Sequence, residues 1–174
     1  MNHSDHVRLL QPGVPAAGGV WADLGAGSGA FTLALAELLG DGATIYAVDR
    51  DGRALATLAR SFREHYPALT LHRVEGDFTQ PLALPALDGI VMANSLHFVA
   101  EKASVLSLVR GYLQPGGRLI VVEYNTDRGN RWVPYPFAYA AWQRLARQAG
   151  FAHTELLATR PSSFLGEFYA AASW

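Results

Sequence analysis

Two rhythms of apolar and polar positions take turns along this chain. Short apolar runs at residues 19–24, 44–48, 87–93 and 118–124, and an alternating run at 69–74, have the length and β-branched character of strands. Longer segments with helical spacing separate them. Phe31, Leu33, Leu35, Leu38 and Leu39 form a broad apolar face that opens near Ser28 and stops at Gly40-Asp41-Gly42. Asp51 is placed to cap a helix reaching about Tyr66, with Pro67 beyond it. Residues 101–112 and 137–148 read as two more helices, the last ended by Gly150. A short helix at 6–10, a loop between the prolines at 81–85 and a polar, aromatic, proline-containing stretch at 125–136 complete the connections. Residues 151–159 and 164–172 read as a closing pair of strands joined by a turn at 160–163. Strand and helix in alternation, followed by a terminal hairpin, predict a mostly parallel sheet with one reversed strand.

Length and charge narrow this picture. A chain of 174 residues, half of them hydrophobic, is expected to be a single domain, residues 1–18 being a short leader or lid. A formal net charge of −1 without any run of Lys or Arg lacks the footprint of a nucleic-acid binder. The absence of cysteine removes disulfides and thiolate metal sites, and among the six histidines only His3 and His6 are close in sequence. That pair reads as a solvated N-terminus or a metal clip, and no other metal site is expected. No basic region precedes an apolar run and no apolar stretch is long enough to span a bilayer, so the expected location is the cytoplasm, with no membrane partner.

The candidate chemistry starts at Asp23-Leu24-Gly25-Ala26-Gly27-Ser28-Gly29, where a strand meets a helix through three glycines at alternate positions. Such a loop permits a tight turn and close backbone approach, and the helix start offers unpaired N–H groups to an anionic part of a ligand. Gly25, Gly27 and Ala30 also satisfy the dinucleotide pattern Gly-x-Gly-x-x-Gly/Ala, with an acid at Asp49 about 20 residues on. Three further segments accompany the loop: Asp49 ending the second strand, Gly76-Asp77-Phe78 after the third, and Pro115-Gly116-Gly117 before the fifth.

With those four segments in order, the chain resembles a class I S-adenosylmethionine-dependent methyltransferase over nearly its whole length. The resemblance implies an α/β, Rossmann-like, seven-stranded mostly parallel sheet with one antiparallel strand in a C-terminal hairpin and helices on both faces. It implies S-adenosylmethionine as cofactor, S-adenosylhomocysteine as product, and in-line methyl transfer to a small-molecule acceptor whose identity is not legible. The cofactor-binding residues it implies are Asp23, Gly25, Ala26, Gly27, Gly29, Asp49, Arg50, Gly76, Asp77, Phe78, Asn94 and Ser95. By the same resemblance Asp77 accepts from the adenine amino group and Phe78 packs on the ring. Lid helices usual in the family are nearly missing, which leaves the pocket to be closed by the leader, by residues 125–135, by a second copy in a homodimer, or by the substrate.

Residue chemistry supports these assignments and leaves alternatives beside them. Asp49 has two acceptor oxygens for a ribose diol, or caps a helix; Asp23 faces an ammonium, or holds the glycine loop; Asp77 serves the ligand, or only a turn. Displacement at a sulfonium requires positioning rather than an obligatory side chain. His97, as a general base, and Tyr124 are the catalytic candidates, with a satisfied loop histidine as the alternative for His97. Arg131 and Trp132 are the candidates for holding the acceptor, through a carboxylate clamp and an aromatic face. Tyr135, Tyr139 and Trp142 fall at helical spacing and read as packing of the last helix. Two other readings stay open: a nicotinamide-dependent oxidoreductase on the same loop, and a non-catalytic S-adenosylmethionine-binding partner subunit. Against the former, Phe98 stands where a Tyr-x-x-x-Lys pair with Lys102 requires tyrosine.

Overall fold

The apolar runs become strands, and period decides which faces they cover. A computed structural model of residues 1–174 contains β1 (Val20–Leu24), β2 (Thr44–Asp49), β3 (Thr70–Glu75), β4 (Leu87–Ala93), β5 (Leu113–Tyr124), β6 (Thr154–Ser162) and β7 (Gly166–Ser173). They form one seven-stranded sheet in the order β3-β2-β1-β4-β5-β7-β6. The first five strands run parallel, and β7 pairs antiparallel with both β5 and β6. The expected fold class is therefore observed.

Five helices sandwich the sheet: α1 (His3–Leu10), α2 (Ala30–Leu39), α3 (Gly52–His65), α4 (Lys102–Tyr112) and α5 (Tyr139–Gln148). Alternate residues of each central strand feed two separate cores. Trp21, Val91, Ile120 and Ala172 pack beneath α1, α2 and α3, whereas Ala22, Ile90, Val121 and Ala171 pack beneath α4 and α5. Between β3 and β4 no helix forms; Phe78, Leu82 and Leu84 of the loop cover that part of the sheet, and the Tyr112 hydroxyl accepts the Leu82 N–H at 2.8 Å.

Several boundaries differ from expectation for local reasons. Helix α1 starts at His3 because Asn2 and Asp5 form a reciprocal capping box. Helix α2 begins at Ala30 rather than near Ser28, since Gly29 occupies the left-handed region (φ 97°) and no side chain caps it. Helix α5 begins at Tyr139, not at residue 137. Pro136 disfavours helical backbone at Tyr135, and Asp127 Oδ1 accepts the Ala138 N–H at 2.9 Å. Tyr135 is thus an exposed loop residue, while Trp142 is fully buried as expected. The turn of the last hairpin lies at 163–165 instead of 160–163, because Pro161 is accommodated in edge strand β6 opposite Glu167. Strand β5 begins at Leu113, and the glycine turn forms an irregularity between Leu113 and Arg118 in its pairing with β4.

The leader is part of the core on one face. Leu9 and Leu10 are buried, the His6 ring lies 4.5 Å from Phe31, and Asp5 pairs with Arg160 of β6 at 2.5 Å. His3 bonds to Glu37 instead, so the two leader histidines face different partners.

Candidate functional site

The carboxyl ends of parallel strands are where side chains from non-adjacent segments meet, and here four of them do. Gly25 after β1, Asp49 and Arg50 at β2, Gly76 to Thr79 after β3, and Asn94, Ser95, Phe98 and Val99 after β4 line one cavity of about 440 Å³.

Beside it the glycine loop is held in a single conformation. Gly25, Gly27 and Gly29 all have positive φ. The Gly25 and Ala26 N–H groups donate to the Val48 carbonyl at 2.8 and 3.0 Å, tying the loop to β2. A Cβ on Gly25 would overlap the Ser95 side chain, whose hydroxyl donates to the Leu24 carbonyl at 2.7 Å. Around Gly27 a Cβ would meet open space.

Asp49 accepts the Gly27 N–H on one oxygen (2.7 Å) and the Asp51 N–H on the other (2.9 Å). Each oxygen keeps a lone pair for a further donor. Helix capping falls to Asp51, which accepts from Arg53 and Ala54. Asp77 binds its own turn: the Thr79 N–H and hydroxyl both donate to Oδ1, at 2.9 and 2.7 Å. Those two bonds hold its carboxyl below the usual range, and Arg50 faces the other oxygen at 3.6 Å.

Asp23 lies next to this loop rather than in the cavity lining. It is 1% exposed and accepts the Thr32 hydroxyl at 2.6 Å. Burial pushes its carboxyl up to about 7, opposed by the Thr32 bond and reinforced by Asp49. Asn94 adds an unmet demand. Its backbone is left-handed (φ 52°), and its Oδ1 is buried without any hydrogen-bond partner. In the cavity itself, Asp49 with its free lone pairs and Asp77 face space that suits a ligand carrying hydroxyl and amino donors.

Of the residues expected to bind cofactor, Gly25, Asp49, Arg50, Gly76, Asp77, Phe78, Asn94 and Ser95 line the cavity. Asp23, Ala26, Gly27 and Gly29 do not line it; Asp23 and Gly27 are tied by hydrogen bonds to Thr32 and Asp49, and Gly29 is the N-cap of α2. Thr79, Phe98 and Val99 complete the lining without having been anticipated there. Arg131 and Trp132 are both exposed, the guanidinium 5.9 Å from the indole ring, and neither lines the cavity. No residue of the leader or of 125–135 lines it either.

His97 and Tyr124 lie just beyond Ser95, together with a residue absent from the expected set. Glu123, fully buried at the end of β5, accepts His97 Nδ1 at 2.6 Å on one oxygen and the Leu96 and His97 N–H groups at 3.0 and 3.2 Å on the other. A carboxylate so enclosed, with every bond directed at one short turn, fixes the ring of His97 with Nδ1 as donor and Nε2 free of protein partners. The hint in the sequence was a charged residue placed directly after the apolar run Leu119–Val122 of β5. Tyr124 packs with its ring 6.3 Å from His97, and burial, then Glu123, raises its hydroxyl. Lys102 donates to the Val99 and Tyr135 carbonyls, joining the turn after β4 to the loop after β5.

Comparison with known proteins agrees with this geometry. A family model described as a methyltransferase domain matches residues 22–119, more than half of the chain. A probable cobalt-precorrin-6B C(15)-methyltransferase (decarboxylating) of Methanothermobacter thermautotrophicus is 32% identical over 108 residues, covering 62% of this chain and 53% of that protein. A demethylmenaquinone methyltransferase of Tropheryma whipplei is 32% identical over 106 residues, covering 61% and 42%. The chain thus spans about half the length of these curated relatives. In fold it is similar to an arsenic(III) S-adenosylmethionine methyltransferase from Chlamydomonas reinhardtii, with a TM-score of 0.74 at 20% identity over 91% of this chain and 64% of that one. With a glycine loop, strand-end acids and sheet order that all fall within or around the matched segment, the chain belongs to the methyltransferase domain family.

Proposed function

We propose that this protein binds S-adenosylmethionine in the cavity at the ends of β1 to β4 and transfers its methyl group to a small-molecule acceptor. The carrying observation is the convergence of Asp49 and Asp77, from the ends of β2 and β3, on one cavity beside the glycine loop, two acceptors for the diol and adenine amino donors of that cofactor. When bound, the cofactor supplies an electrophilic methyl on a sulfonium. The chain's own part is to hold that group beside the turn at 94–99, to exclude water, and to receive a proton from the acceptor. His97 Nε2 is the proton acceptor in this reading. Glu123 is its positioning residue and stabilises the imidazolium that forms. No helix is long and apolar enough to cross a membrane; a cytoplasmic location, and no nucleic-acid partner, complete the reading.

Titration calorimetry tests the cofactor assignment. S-adenosylmethionine and S-adenosylhomocysteine should bind the protein, and Asp49→Ala should weaken both at least about tenfold by removing a charged acceptor of the diol. Binding of NADH alone would sink the assignment in favour of the oxidoreductase. The role of His97 is read without any acceptor: long-range nitrogen–proton correlation should show a neutral ring protonated on Nδ1. A ring protonated on Nε2 would rule it out as the base.

A further inference from the structure

Aromatic rings that continue a ligand cavity outward offer apolar area to a second ligand. Four rings follow one another from the cofactor cavity outward. Phe98, 56% exposed, lines that cavity and lies 4.3 Å from the His97 ring; Tyr124 lies 6.3 Å beyond His97; Phe164, 51% exposed in the β6–β7 turn, lies 6.0 Å beyond Tyr124. Phe168 supports Tyr124 from behind at 4.2 Å. The cations that sit over aromatic rings in this molecule, Arg131 over Trp132 among them, lie elsewhere. Glu167, beside the turn, is already engaged by the Asn125 side chain at 2.8 Å.

We infer that the row Phe98–Tyr124–Phe164 is the acceptor site, and that it selects an aromatic, uncharged, largely apolar acceptor with an ionisable proton on the attacked atom. This rests on the methyl-transfer reading and deepens it. Continuity argues for the acceptor as occupant: the row starts at a residue that also lines the cofactor cavity, and passes His97, the proton acceptor. Aromatic character follows from rings inclined 49°, 52° and 65° to their neighbours, which offer both faces and edges to another ring. Neutrality follows from the lack of any cation placed on the rings, so that a carboxylate or phosphate would lose its hydration without a counter-ion. The ionisable proton follows from the His97–Glu123 pair, which has no use with an acceptor that is already a naked nucleophile. The acceptor's hydroxyl or activated C–H gives its proton to Nε2 as its electron pair takes the methyl, and S-adenosylhomocysteine leaves.

The test uses 2-naphthol as a fluorescent probe, titrated into the full chain saturated with S-adenosylhomocysteine. Saturable binding is expected, weakened about fivefold or more by Phe164→Ala and by Phe98→Ala, the loss of one ring contact each. S-adenosylhomocysteine affinity should hold in Phe164→Ala, since that ring is outside the cavity lining. Three results would overturn the inference: no binding of 2-naphthol to the loaded wild type, unchanged binding in both variants, or tighter binding of 2-naphthoate that Arg131→Ala abolishes. Sedimentation of the wild type and of Phe164→Ala adds a fourth, since a dimer dissociated by the substitution would make the row a subunit interface. If S-adenosylhomocysteine itself fails to bind the wild type, the methyl-transfer reading falls first, so the two failures are separable.

Discussion

Asp23 shows how one carboxyl sets a stability profile. Buried and bonded only by the Thr32 hydroxyl, it holds its proton up to about pH 7, whereas in an unfolded chain it releases it near pH 4. The native state therefore binds the extra proton between those values, and the stability tied to Asp23 is full below about pH 4 and lost as pH rises through about 7. Without ligand, Asp23→Asn should abolish that decline. Urea unfolding at pH 5 and pH 8 should show the variant gaining about 3 kcal/mol on the wild type between those two values, while cofactor affinity falls. An equal pH dependence in both proteins would show that Asp23 is charged in the folded chain. The same residue illustrates what could be foreseen: a lone acid at a buried strand end needed a partner, but that the partner would be Thr32 required the α2 helix in place.

At the level of elements, the glycine loop and α2 act as one part. Gly29 combines a left-handed backbone with a neighbour in the way: a Cβ there would overlap Leu58 of α3, a fully buried side chain. Gly27 is left-handed as well but has open space around it. Gly29→Ala should then cost well over 2 kcal/mol by strain and displacement of a packed helix, and Gly27→Ala about 1 kcal/mol by strain alone. Thermal melts that rank the two in reverse would contradict the packing described. Elements built on periodicity and glycine, such as β1, β2, β4, α3 and α4, were legible from the chain within a residue or so. Where the outcome depended on side chains distant in sequence, legibility failed. The start of α5 depends on Asp127, the last turn on an edge position that tolerates Pro161, and Glu123 on a turn 26 residues away.

For the whole molecule, the question is what the leader does. Helix α1 packs against α2 and β6 with Leu10 wholly buried, yet contributes nothing to the cavity wall. Leu10→Ala should cost about 3 kcal/mol of unfolding free energy and leave S-adenosylhomocysteine affinity within about twofold. A large loss of affinity with little loss of stability would instead make the leader a lid. The arrangement of the two sites along the chain has a consequence for how such a protein changes over generations. Every residue of the cofactor cavity lies between positions 25 and 99, whereas the rings proposed for the acceptor, Phe98 apart, come from positions 124 and 164. On the proposed function, mutation in the second half can therefore retune what is methylated while the methyl donor is kept, and Phe98, common to both proposed sites, is the position where drift in one is felt by the other.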